Sequence, residues 1–136
     1  MAENDKVEME KQQKRVIYFE DERDMVELVR LVLGREGYSV EGASEGRAGL
    51  VSVREKLPDI ILLDLMMPDM DGWEIFKELK NDKSTGDIPV VVITAKSQSV
   101  DKILGVEIAQ VDDYISKPFS PRELIERVEK VLSETK

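Results

Sequence analysis

"IILLDLMMPDMDG" (residues 60–72) sets four apolar residues in front of an acid, Asp64, and follows it with a turn rich in Pro, Asp and Gly. An unbroken apolar run of this kind reads as a strand buried on both faces, and such strands belong to parallel sheets covered by helices. "VVVITA" (90–95) repeats the pattern. "RVIYF" (15–19), "YSVEGAS" (38–44) and "DDYIS" (112–116) are shorter strands. The carboxylate of Asp64 raises a separate question, because burying one costs several kcal/mol unless something pairs with it.

Helical signals fill the intervals. From Asp24 onward, Met25, Leu28, Val29, Val32 and Leu33 recur at helical spacing, and Gly34 or Gly37 can end that helix. Ser44 is placed to cap a helix running to about Leu57, closed by Pro58. Asp71 with Glu74 forms a cap pair for a helix from Trp73 to about Asn81. Val100, Ile103 and Leu104 mark a helix over 99–109. "SPRE" (120–123) is a capping box before the stripe Leu124, Ile125, Val128, Val131 and Leu132. Five strands alternating with five helices predict an α/β fold, an open parallel five-stranded sheet with helices on both faces. Its functional site then lies off the carboxyl ends of the strands.

Residues 1–14 are polar, mixed in charge and without an apolar stripe; they predict a flexible tail, with a frayed helix as the alternative. Residues 15–136 then form one domain, with no second domain expected. No apolar run approaches the ~20 residues that cross a bilayer, and no apolar N-terminal segment marks secretion. Cysteine is absent, which excludes disulfides and thiolate metal sites and fits the cytoplasm. Histidine is absent too, so a His-based triad, a His-ligated zinc and a phosphohistidine carrier are excluded. A net charge of −9 argues against nonspecific binding to nucleic acid or anionic membranes. A metal here must be held by oxygen, which favours magnesium, calcium or manganese.

In that topology Glu20 and Asp21 leave the first strand, Asp64 ends the third, Thr94 ends the fourth and Lys117 follows the fifth. Three acids in a partly dry cleft need a counter-charge, which a hard divalent cation supplies. With an ammonium and a hydroxyl facing them, they make a site for a phosphoryl group, and one carboxylate can be the nucleophile. The plainer reading of each residue is structural: Asp64 capping a turn, Glu20 and Asp21 capping a helix, Lys117 a surface lysine, Tyr114 a packed aromatic. "PDMDG" is not a calcium-binding EF-hand, because its first ligand position would be Met67. A phosphatase of the haloacid-dehalogenase type needs an acid where Met66 stands, and no phosphate-binding Gly-rich loop occurs.

From residue 15 to about 133 the chain resembles the receiver domain of bacterial two-component response regulators. "FEDE" is similar to that family's acid cluster, "LLDLMMPDMDG" to its phospho-acceptor stretch, and "VVVITA" and "VDDYISKPF" supply its Thr and Lys-Pro. The resemblance implies the flavodoxin-like (βα)5 fold, doubly wound; the order 2-1-3-4-5 comes with it and not from the spacing. It implies a Mg²⁺-dependent transfer, with Mn²⁺ as a substitute, from a sensor histidine kinase or a phosphotransfer protein to Asp64. Asp21, Asp64 and the Met66 carbonyl would hold the metal, Glu20 would act through water, and Thr94 and Lys117 would contact the phosphoryl oxygens. Thr94 and Tyr114 would form the switch, and the Lys117–Pro118 bond would be cis. Glu20 stands where Asp is commoner, and "AQVDDY" replaces a more familiar Gly-Ala. The chain is expected to act alone in the cytoplasm on a downstream protein target, with no nucleic acid or membrane partner. It would be no enzyme beyond its own phosphotransfer and dephosphorylation. It would be a monomer or a weak homodimer through the face of helix 99–109, strand 112–116 and the last helix, where Arg122, Arg127 and Asp113 can pair. The competing reading is a degenerate receiver that serves as a non-phosphorylated interaction module.

Overall fold

The computed structural model describes residues 13–95 and 111–134. The expected tail up to residue 12 and the helix expected over 99–109 lie outside them. The strands are β1 (Arg15–Phe19), β2 (Ser39–Ala43), β3 (Ile60–Asp64), β4 (Val90–Ala95) and β5 (Asp113–Lys117). Among the described residues the helices are α1 (Arg23–Gly34), α2 (Gly46–Lys56), α3 (Gly72–Asn81) and α4 (Pro121–Glu134). All strand pairs are parallel, in the order β2-β1-β3-β4-β5. The expected α/β architecture and the implied order are both present.

Every residue of β3 is buried, as its unbroken apolar run requires of a central strand. Alternation along the strands divides the core into two layers. On one face Val16, Tyr18, Ile60, Leu62, Val91, Ile93 and Ile115 pack with Val29 and Leu33 of α1 and Leu124, Val128 and Val131 of α4. On the other, Ile17, Phe19, Ile61, Leu63 and Val90 pack with Leu50 and Val53 of α2 and Ile75, Phe76 and Leu79 of α3. At about 1.5–3 kcal/mol for each fully buried large aliphatic or aromatic side chain, these layers hold the strand ends as a rigid shelf.

Two local expectations are corrected. The buried stripe of α1 is Val26, Val29, Val32 and Leu33, while Met25 is partly buried and Leu28 is exposed. Apolar residues surround most of this helix, and the pitch that faces the sheet is set by packing. Ser44 does not cap α2 either. The N-cap position belongs to Glu45, which makes no side-chain cap bond. Instead Asp69, from the loop after β3, accepts from the Gly46 and Arg47 amides at 2.6 and 3.1 Å. In the other two caps the N-cap side chain acts as expected: Asp71 accepts from the Trp73 amide at 2.7 Å and Ser120 from that of Glu123 at 3.1 Å.

Candidate phosphoryl site at the strand ends

The parallel register sets the site. Phe19 lies opposite Leu63, so one residue further on Glu20 emerges beside Asp64. Asp64 pairs with Ile93 and Thr94 with Ser116, which brings Thr94 and Lys117 to the same edge. Alternation puts Glu20, Asp64 and Lys117 on the face that carries Tyr18, Leu62 and Ile115.

These three meet. The Lys117 Nζ donates to Glu20 Oε1 and to Asp64 Oδ2, each at 2.7 Å. Glu20 is 1% exposed and Asp64 5% exposed, so neither carboxylate has water enough to be stable without that ammonium. The remaining oxygens are bonded too. Asp64 Oδ1 accepts from the Met66 amide at 2.8 Å, and Glu20 Oε2 accepts from the Glu22 amide at 3.1 Å. Burial pulls the Lys117 pKa down, but its bonds to Asp64 and Glu20 outweigh this and leave it raised. The Asp64 carboxylate at the mouth of β3 is therefore held by an ion pair and a backbone amide.

Thr94 is fully buried at the end of β4, and Tyr114 on β5 is exposed. The Lys117–Pro118 peptide is cis. Asp21 is exposed and borders an open pocket of about 380 Å³ with Glu20, Arg23 and Ser44. Gly72 keeps the loop after β3 tight: a Cβ there would stand 2.4 Å from the Leu65 Cα, and the Gly72 amide donates to the Leu65 carbonyl at 3.1 Å. Met66, whose carbonyl is a candidate ligand, follows directly.

Among the described residues no three acidic side chains form a ready metal cage. The expected cluster of Glu20, Asp21 and Asp64 is divided: two of its acids take Lys117 as counter-charge and the third faces solvent. The donor set still fits a hard divalent ion. It is all oxygen, and two of its carboxylates already gather around one positive centre. Arg127 and Asp113, expected to pair across a dimer face, bond each other within the chain at 2.8 Å. Sequence reasoning missed Tyr18, whose hydroxyl donates to Glu20 Oε1 at 2.9 Å. The signal was available, since a tyrosine two residues before an acid shares its strand face and needs a partner for its polar tip.

The model of the response regulator receiver domain matches residues 16–129. The chain is 41% identical over 119 residues to the alkaline phosphatase synthesis transcriptional regulatory protein PhoP of Bacillus subtilis, covering 88% of this chain and 48% of that one. It is 39% identical over 120 residues to the DNA-binding response regulator MtrA of Mycobacterium tuberculosis, covering 88% and 51%. The chain thus spans about half the length of these relatives, and the expectation of no nucleic acid partner finds no support in them. The solved receiver domain of Francisella response regulator 1452 superposes with a TM-score of 0.79 at 30% identity, covering 91% of this chain and all of that one.

Proposed function

Since the chain belongs to the response regulator receiver family of two-component signalling, we propose that Asp64 accepts a phosphoryl group from a sensor histidine kinase or a phosphotransfer protein. The observation that carries this reading is the shared Lys117 ammonium, 2.7 Å from both Asp64 and Glu20. It holds a buried carboxylate at a strand end beside the fixed positive charge that a phosphoryl group needs.

In the transfer, a carboxylate oxygen of Asp64 bonds to phosphorus as the phosphorus–nitrogen bond of the donor breaks, and the bonding pair leaves with the imidazole. The product is an acyl phosphate. Lys117 follows the charge onto the phosphoryl oxygens, and the Thr94 hydroxyl donates to them. Magnesium, or manganese in its place, neutralises phosphoryl charge when bound. Asp21, Asp64 and the Met66 carbonyl would hold it, with Glu20 acting through water. Loss of the phosphoryl group to water is the only other reaction, so no separate substrate is turned over. Movement of Thr94 and Tyr114 then biases the surface around β5 and α4 toward a downstream protein target. We assign the exchange to the cytoplasm and to a monomer or weak dimer.

The test is intact-mass spectrometry after incubation with acetyl phosphate and Mg²⁺, comparing the wild-type chain with Asp64→Asn. One phosphoryl adduct in the wild type alone is the expected result. No adduct with any divalent metal would leave a receiver-shaped interaction module.

A further inference from the structure

Tyr18 sits within β1, wholly buried, with its ring in the apolar layer shared with α1 and α4. A phenol in such a layer costs free energy unless its hydroxyl is bonded. The hydroxyl donates to Glu20, and the bond is made to Oε1, the same oxygen that accepts from Lys117. Glu20 is thereby gripped from three directions: the phenol beneath, the ammonium across the sheet, and the Glu22 amide on its other oxygen.

The reach matters. Residues 18 and 20 lie one strand repeat apart on the same face, and a glutamate can fold its carboxylate back onto the phenol. An aspartate, one methylene shorter, would draw its oxygens away from that hydroxyl. Tyrosine at 18 and glutamate at 20 therefore form a matched pair. We propose that Tyr18 is a positioning residue for the phosphoryl and metal site: its hydroxyl fixes the rotamer of Glu20, and through Glu20 the seat of the Lys117 ammonium beside Asp64. This rests on the phosphoryl-acceptor reading above. A phenol carries its proton at neutral pH, so the Tyr18 hydroxyl is the donor in this bond.

The test is a titration with MgCl₂ alone, followed by the fluorescence of Trp73, the only tryptophan. Wild type, Asp21→Asn, Tyr18→Phe, Glu20→Asp and the Tyr18→Phe/Glu20→Asp double variant are compared, each with its thermal midpoint. Tyr18→Phe is expected to weaken Mg²⁺ binding about tenfold, in the range found for residues that orient metal ligands. In the Glu20→Asp background, where the acid cannot reach the phenol, the same substitution should change nothing. That non-additivity separates positioning from packing, because a packing defect would persist in both backgrounds. Tyr18→Leu removes the same hydroxyl and replaces the Phe variant should that fail to fold. Wild-type affinity in Tyr18→Phe, or equal losses in both backgrounds, would overturn the proposal while Asp21-dependent binding leaves the phosphoryl reading standing. Absence of Asp21-dependent binding in the wild type would overturn both.

Discussion

Lys117 is one cation serving two buried anions, and that asymmetry decides how substitutions behave. Removing the ammonium leaves Glu20 and Asp64 facing each other without a counter-charge, whereas removing one carboxylate leaves an intact pair. Removing one partner of a buried pair so that a buried charge is left uncompensated costs about 3–5 kcal/mol. Lys117→Ala is therefore expected to lose about that much in urea denaturation at neutral pH, and Asp64→Asn far less. Millimolar Mg²⁺ should restore part of the Lys117→Ala loss, because a bound cation supplies the missing charge and binds only the folded chain. Equal losses in the two variants would sink the idea of a shared counter-charge. Because the folded Lys117 pKa is raised, the pair's stabilisation is fully present below the ordinary lysine value. It fades only as pH rises through the folded one, so the contrast should be flat across neutral pH.

The elements around the site depend on contacts that local sequence does not announce. The cap of α2 comes from Asp69, 23 residues beyond Gly46, and the amides of Gly46 and Arg47 hold its pKa below the usual carboxylate value. A depressed folded pKa stabilises the chain above the unfolded value of 3.8, and that contribution disappears as pH falls through the folded one. The thermal midpoint of Asp69→Ala should thus lie below wild type at pH 6, with the gap closing below about pH 4. A gap that did not narrow at all as pH fell below the ordinary carboxylate range would point to lost packing instead. At its other end α2 closes on Leu57 in the left-handed conformation, φ 46°, with the Leu57 amide on the Val53 carbonyl at 2.8 Å. That backbone costs a side-chain-bearing residue about 1–2 kcal/mol, and Leu57 is half exposed. Leu57→Gly is expected to raise stability by up to about 1 kcal/mol in the same urea experiment. The strands were legible because a doubly covered parallel sheet writes itself as apolar runs such as 60–63 and 90–93. Which pitch of α1 is buried, and what caps α2, were not, because both are settled by partners distant in sequence.

At the scale of the molecule, the alternation of strands and helices was readable, and the order of the strands was not. Order depends on crossovers that run equally well to either side, so it came only with the family resemblance. The gathering of Glu20, Asp64 and Lys117 at one edge was legible, since parallel strands deliver all their carboxyl ends there, whereas Asp21, expected among them, faces solvent. The pairing within that gathering was not, because charge alone does not say whether a lysine or a metal ion answers the acids. Charge does speak about partners. The chain carries 29 acidic and 20 basic residues, a net excess that disfavours the approach of a polyanion. The relatives PhoP and MtrA are named as a transcriptional regulatory protein and a DNA-binding response regulator, and this chain spans about half of each. The 136-residue chain is therefore expected to bind a random duplex more weakly than the ~10⁻⁴ M limit of ordinary nonspecific binders. Fluorescence anisotropy of a labelled duplex, titrated to about that concentration at low and moderate salt, should stay flat. A rise that fades with added salt would reveal a basic stripe strong enough to overcome the net charge, and would return nucleic acid to this chain as a direct partner.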